Sequence, residues 1–181
     1  MFKTNLVEDC KKGKRKAQFK LYQKYCDAML TVSMRYLKQK DMAEDATQEA
    51  FIKAFKNIDR YNGETTFGAW LKTIVINQSI DYYRQLKYHE NVENIQLEVA
   101  EDEEDNWNVA ENISTTDIAS CIEDIPEKYA TVLKLYLMEG YDHDEIGEIL
   151  NIKANNSRIQ LHRGKKLLKQ QLNTLKNERF A

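Results

Sequence analysis

Proline is almost missing from this 181-residue chain. There is one, Pro126, together with only six glycines, so little interrupts a helix and little favours tight hairpins. Cysteine is scarce as well: Cys10, Cys26 and Cys121 are widely separated, form no CxxC pair and cannot all pair within one chain. They are expected as reduced thiols, two of them at helix core positions. Long apolar runs are absent, which excludes a membrane-spanning helix and membrane insertion. The start of the chain carries Lys3, Glu8 and Asp9 without an apolar signal core, so the protein is expected to be soluble and cytoplasmic. No HExxH, P-loop, GxSxG or GxGxxG motif occurs, and no catalytic residue, metal ligand or cofactor is expected. The run Asp142-His143-Asp144-Glu145 with Glu148 could be imagined around a metal, but a helix cap accounts for Asp142 and Glu145 without one.

What is present is helix-forming sequence and a marked charge asymmetry. From Glu90 to Asp124 the chain holds 12 Asp or Glu and no Lys or Arg, which leaves 27 Lys and Arg against 17 Asp and Glu elsewhere. An acidic segment between two basic parts points to nucleic acid as the partner of the basic parts. The expected fold is all-α, two small helical domains joined by a flexible acidic linker, with boundaries at 1–88, 89–113 and 114–181. Residues 89 to 113 lose periodicity and are rich in Glu, Asp and Asn.

The helices follow from spacing. From Lys14 to Leu37, apolar residues at Phe19, Tyr22, Cys26, Met29, Leu30 and Leu37 predict one amphipathic helix. Asp41 and Glu44 suggest a capping box for a second, with Ala46, Ala50, Phe51, Ala54, Phe55 and Ile58 inward and Asp45, Gln48, Glu49, Ile52, Lys53 and Lys56 opposite. Asn62-Gly63 marks a loop, and Thr66 can cap a third helix from Phe67 to about Tyr88. Helices resume near Thr116, and Pro126 sits where a first helical turn should start, ahead of Tyr129, Val132, Leu133, Tyr136 and Leu137. Gly140 ends that helix. Asp142 and Glu145 form a capping box for a short helix with Ile146, Ile149 and Leu150, and Asn151-Ile152-Lys153 then turns into a last helix rich in Arg and Lys. A short helix, a tight turn and a basic helix make a helix-turn-helix.

Two constellations carry function. The last helix places Asn155, Asn156 and Gln160 near its start, with Arg158, His162, Lys165, Lys166 and Lys169, while Leu161, Leu168, Leu172 and Leu175 supply an apolar side. Amides and arginines at the start of such a helix can read adenine and guanine edges in the major groove. The plainer alternative is a solvated helix face. On the third helix, Phe67, Trp70, Ile74, Asn77, Asp81, Arg84 and Tyr88 recur at spacings of three and four. That stripe can be core at its apolar start, with Asp81 and Arg84 a surface pair of about 0.3 kcal/mol. It can also adjoin the loop of Tyr61, Asn62, Thr65 and Thr66 as a place to hold an unstacked base.

The string Ala43-Glu-Asp-Ala-Thr-Gln-Glu-Ala-Phe-Ile-Lys53 resembles the polymerase-binding helix of extracytoplasmic function (ECF, group 4) sigma factors of the sigma-70 family. Phe67-Gly-Ala-Trp-Leu-Lys-Thr-Ile-Val-Ile-Asn-Gln-Ser-Ile-Asp-Tyr-Tyr-Arg84 is similar to that family's minus-10 element helix. Ile125-Pro-Glu-Lys-Tyr129 and Leu161-His-Arg-Gly-Lys-Lys-Leu-Leu168 resemble its region 4, and the likeness covers most of residues 14 to 172. It implies an alternative sigma factor, not an enzyme, that binds core RNA polymerase at the beta-prime clamp and beta flap and directs initiation at promoter DNA. Region 2, residues 1–88, would grip the clamp through Asp45, Gln48, Glu49, Phe51, Ile52 and Lys53.

It would also read and melt the minus-10 element through Asn62, Thr65, Thr66, Phe67, Trp70, Asn77, Asp81 and Arg84. Region 4, residues 114–181, would read the minus-35 element through Lys153, Asn155, Asn156, Ser157, Arg158, Gln160, His162, Arg163 and Lys165. The acidic linker would thread the RNA exit path, or serve only as a solvated spacer. An anti-sigma protein is a partner by resemblance alone. Three positions depart from the family pattern: Ser157 stands for the usual Val under the helix, Gly164 for an Ala, and Lys153 for an N-cap Ser, which moves the expected cap to Asn155. The rival reading is a regulator that binds a palindromic operator without polymerase.

Overall fold

With no proline before Pro126, the backbone up to residue 88 is free to run as helix, and most of it does. The computed structural model describes residues 6–88 and 113–180, and all regular structure among them is helical. The expected linker, 89–113, lies outside the described residues but for its last position. The chain divides into two units, Met1–Glu93 and Asn94–Ala181.

In the first unit, α1 (Leu6–Lys11) buries Cys10 and closes at Gly13, whose N–H donates to the Cys10 carbonyl at 2.8 Å. Gly13 has φ +72°, a left-handed turn that a side chain would strain. α2 (Arg15–Met34) turns Ala17, Leu21, Met29, Val32 and Ser33 inward. This corrects the sequence reading twice. The helix stops short of Leu37, and Phe19 is not core but 60% exposed. Ala17 and Leu21 take the inward positions, and a residue two places from each is rotated by about 200° around the axis.

α3 (Lys40–Lys56) presents Ala43, Ala46, Ala50 and Ala54, all at 0% exposure. These small side chains let α2 and α4 pack closely against it. The expected Asp41–Glu44 capping box does not form. The N-cap is Gln39, without a side-chain bond, and Asp41 falls inside the first turn, where its charge still complements the helix dipole. Glu44 pairs instead with Lys40 at 3.4 Å. A short 3-10 turn, Ile58–Arg60, leads into the loop before α4 (Phe67–Tyr88). Thr66 caps α4 as expected, its Oγ1 accepting from the Ala69 N–H at 3.2 Å. The inward face of α4 is Leu71, Val75, Ile76 and Ile80. Between α2 and α4 the Ser33 and Ser79 hydroxyls meet at 2.8 Å, and Ser79 donates on to the Val75 carbonyl, so two buried hydroxyls are satisfied.

In the second unit, α5 (Thr115–Glu123) begins with a capping box of Ser114 and Asp117 that the sequence reading missed. Pro126 occupies the N-cap of α6 (Glu127–Leu133), one place before the first turn where it was expected. α6 continues as a π segment, Lys134–Met138, and Gly140 at φ +78° ends it. Lys134 is buried and pairs with Glu123 at 2.7 Å. α7 (His143–Leu150) has the predicted Asp142–Glu145 capping box, and Asn151 turns the chain in the left-handed region at φ 54°. α8 (Ala154–Phe180) starts directly after Lys153, so Asn155 lies within its first turn and is not the cap. α5, α6 and α7 all pack on α8 through Ile122, Leu133, Ile146, Leu161 and Leu168.

Candidate functional site

The outer face of α3 carries Asp45, Gln48, Glu49, Ile52 and Lys53 exposed, with Ile52 at 53%. Phe51 is not on it. It is 2% exposed and packs edge-on against Tyr22, ring centroids 4.9 Å apart, because on a helix the residue after Ala50 shares the inward stripe with Ala54. Two of the outer residues are tied to the next helix. Glu49 accepts from Gln78 Nε2 at 2.6 Å and from the Tyr82 hydroxyl at 2.8 Å, and Lys53 donates to Gln78 Oε1. Burial first, and then the hydrogen bond and charge of Glu49, push the Tyr82 pKa up to about 12. No sequence signal announced this network, since its partners lie 25 to 33 residues apart.

The loop before α4 is built by its own side chains. Asn62 Oδ1 accepts from the Glu64 N–H at 3.1 Å, and the Tyr61 hydroxyl donates to the Thr65 carbonyl at 2.6 Å. Tyr61, Phe67 and Trp70 form a triangle of rings with centroids 5.5 to 5.7 Å apart, and Tyr25 joins Phe67 at 5.6 Å. Phe67 is the buried centre of that cluster, 5% exposed, so it anchors the loop and offers no open face for a base. Asn62, Thr65, Thr66 and Asn77 are exposed, and Trp70, Ile74 and Asp81 partly so. Arg84 is exposed and pairs with Asp81 at 3.7 Å. From Trp70 to Arg84, then, the stripe noted in the sequence runs along the rim and outside of α4 while Leu71, Val75, Ile76 and Ile80 carry the core.

Lys153, just before α8, and Asn155 and Arg158 on it are exposed, and Asn156, Gln160, His162, Arg163 and Lys165 are partly exposed. Ser157 is 0% exposed, which removes it from any DNA-facing set: its Oγ lies 2.9 Å from His143 Nδ1. The His143 ring in turn stacks on Tyr136, centroids 5.0 Å apart and planes 23° from parallel. Burial lowers the His143 pKa, and the nearby Arg158 lowers it further, against Asp142 and Asp144. A polar brace between the two helices of the helix-turn-helix thus fills the position of a packing Val. Two glycines allow close approaches, Gly147 of α7 to the turn before α8 and Gly164 of α8 to α6. A Cβ on Gly147 would stand 2.9 Å from the Ile152 carbonyl oxygen, and one on Gly164 would stand 2.9 Å from Leu133 Cγ. Leu133 therefore fills the space an Ala at 164 would need. Asp142 and Glu145 are consumed in capping, with Asp142 Oδ1 accepting from the Asp144 and Glu145 N–H groups at 2.9 and 2.8 Å.

Both units match sigma-factor families. The family described as Sigma-70 region 2 matches residues 21–88, and the one described as Sigma-70, region 4 matches residues 115–168. The chain is 31% identical over 184 residues to the ECF RNA polymerase sigma factor SigW of Bacillus subtilis, covering 93% of this chain and 96% of that one. It belongs to the ECF sigma factors. The ECF RNA polymerase sigma-E factor of Haemophilus influenzae is 27% identical, with 94% and 95% of the two chains covered. Among solved structures, the fold is shared with the sigma factor RpoE of Bartonella quintana, in complex with the anti-sigma factor NepR, at TM-score 0.51 and 16% identity over 85% of this chain and 97% of that one. CnrH in complex with the cytosolic domain of CnrY gives TM-score 0.50 at 17% identity, covering 93% and 96%. The protein is thus an alternative sigma factor that directs promoter-specific transcription initiation, with core RNA polymerase and promoter DNA as its partners. Sigma factors are, as a family, non-enzymatic initiation factors. No helix among the described residues is long and apolar enough to cross a membrane.

Proposed function

We propose that region 2 of this sigma factor captures and melts the minus-10 element with the Asn62–Thr66 loop and the outer stripe of α4, while α8 reads the minus-35 element. The observation that carries this is the division of α4: its core is complete without Trp70, Asn77, Asp81 and Arg84, which leaves them available to an opened strand. Asp45, Gln48 and Ile52 are the residues offered to the beta-prime clamp, since an exposed apolar side chain within a polar rim suits a separable interface. Glu49 and Lys53 contribute to that face while also bracing it from behind. Region 4 offers Asn155, Asn156, Arg158 and Gln160 to base edges and Lys153, His162, Arg163 and Lys165 to the backbone or its neighbourhood, and it docks on the beta flap. The domains are 1–88 and 114–181, with 89–113 as linker. The protein itself catalyses nothing and works in the cytoplasm, where the polymerase is. The structural relative RpoE, solved with the anti-sigma factor NepR, supports an anti-sigma protein as a further partner.

Reconstitution with a cognate core enzyme on genomic DNA tests this reading: transcripts should start at defined positions only when both are present. Tight operator binding by the protein alone would establish the rival regulator. Asp45→Arg with Ile52→Glu should abolish core binding without touching the Glu49 bonds. Trp70→Ala and Asn77→Ala should reduce permanganate-detected melting more than closed-complex formation, and intact melting in both would remove α4 from strand capture. Arg158→Ala should weaken upstream recognition.

A further inference from the structure

The outward turn of Phe19 exposes a surface that neither the family match nor the promoter reading accounts for. Between Asp9 and Asp27 the chain has no acidic residue and carries Lys11, Lys12, Lys14, Arg15, Lys16, Lys20 and Lys24. Glu8 and Asp9 engage Lys11 and Lys14 at 3.5 and 2.8 Å. Lys12, Arg15, Lys16, Lys20 and Lys24 are exposed. Lys16 and Lys20 lie one turn apart on the outer face of α2, about 6 Å along the axis, with Phe19 beside them. Phe19 is 60% exposed on a helix whose inward face is already filled by Ala17, Leu21, Met29 and Val32. Lys24 continues the row one turn on, its ammonium 5.1 Å from the Tyr25 ring centroid. The match to region 2 begins at residue 21, so Lys16, Phe19 and Lys20 lie outside it.

We propose that this face of α2 is a second contact for single-stranded nucleic acid, Lys16, Lys20 and Lys24 holding phosphates and Phe19 stacking on an unpaired base. The charge complementarity is with a polyanion, and the aromatic ring among lysines selects a strand with open bases over a duplex, whose bases are already stacked. An acidic protein surface would find the lysines useful but not the ring. The inference builds on the promoter-opening reading, because opened promoter DNA supplies such a strand.

The test uses the full chain and a fluorescein-labelled oligothymidine that contains no promoter element, followed by anisotropy across a salt series. Lys16→Gln with Lys20→Gln should reduce the slope of log affinity against log salt by about 1.4. Phe19→Ala should weaken binding about tenfold and Phe19→Trp should restore it. All three sites are exposed, and unchanged urea midpoints check that the variants fold. Wild-type affinity in the variants would overturn the proposal. So would a Lys variant that loses core polymerase instead of the strand, which would assign the face to an acidic protein surface. An unaffected Phe19→Ala beside a weakened Lys variant would also overturn it, because it would leave a phosphate contact alone. Failure of the promoter reading is distinguishable, since it would appear as wild-type protein with core enzyme that starts no transcripts.

Discussion

The two units hold their outward residues in place by different means. Residues 6–88 do it with side chains that reach between helices: Glu49 to Gln78 and Tyr82, Lys53 to Gln78, Ser33 to Ser79, and the rings of Tyr25, Tyr61, Phe67 and Trp70. Residues 113–180 rely mostly on the backbone, through the capping boxes at Ser114 and Asp142, the left-handed Asn151 and the close approaches at Gly147 and Gly164. Side chains also reach between helices here, His143 to Ser157 and Lys134 to Glu123. A surface braced by side chains can be loosened by a single substitution without unfolding its helices. One set by backbone turns fails when the turn itself is obstructed.

The comparison can be broken most severely at Gly147. Gly147→Val puts side-chain atoms against the Ile152 carbonyl and should cost about 3 kcal/mol, with hydrogen exchange accelerating across α5 to α8 and not across α2 to α4. Gln78→Ala should cost about 2 kcal/mol by leaving Glu49 and Lys53 short of a partner. In urea unfolding its signature is lower stability with the helix content of the native state unchanged. Asp142→Ala removes the acceptor of the Asp144 and Glu145 N–H groups and should cost about 1 kcal/mol, read as fraying of α7 and weaker upstream-element binding.

The smallest effects separate the units by pH, and their signs are opposite. His143 has a folded pKa below its ordinary value, so the unfolded chain binds the proton first. Its contribution to stability is complete above about 6.5 and is lost as pH falls through the folded value. Tyr82 is raised to about 12. Its contribution is complete below its ordinary value of about 10 and is lost as pH rises from there through about 12. Urea midpoints should therefore show an acid-side loss that His143→Gln removes and an alkaline-side loss that Tyr82→Phe removes. If each substitution leaves its own slope unchanged, neither group is held as described.

Much of the second unit was legible in the sequence because its determinants are local. A capping box spans four residues and a left-handed turn one, so Asp142, Glu145 and Gly140 stand close enough together to be read. Local patterns also misled, where more than one nearby residue could serve. Asp41 and Glu44 have the spacing of a box, yet the helix starts at Lys40, and Asn155 yields to a start at Ala154. Phe19 has a spacing that suits the core, but Ala17 and Leu21 satisfy it better. Of the site residues, Asp45, Gln48, Ile52, Asn77, Asn155 and Arg158 lie outward as the sequence reading placed them. Phe51, Phe67 and Ser157 turn inward, because family position names a segment while burial depends on which face meets another helix.

By itself the sequence determined that this chain is helical in two parts with an acidic stretch between, and that its motifs are those of an ECF sigma factor. Proline scarcity, helical periodicity and short motif strings are properties of neighbouring residues and survive without coordinates. Only the tertiary structure decided that Glu49 is bonded to Gln78 and Tyr82, that His143 braces Ser157, and that Phe19 faces out among lysines. Each of those depends on how helices distant in sequence are rotated against one another, and that rotation is set by the packing of whole cores.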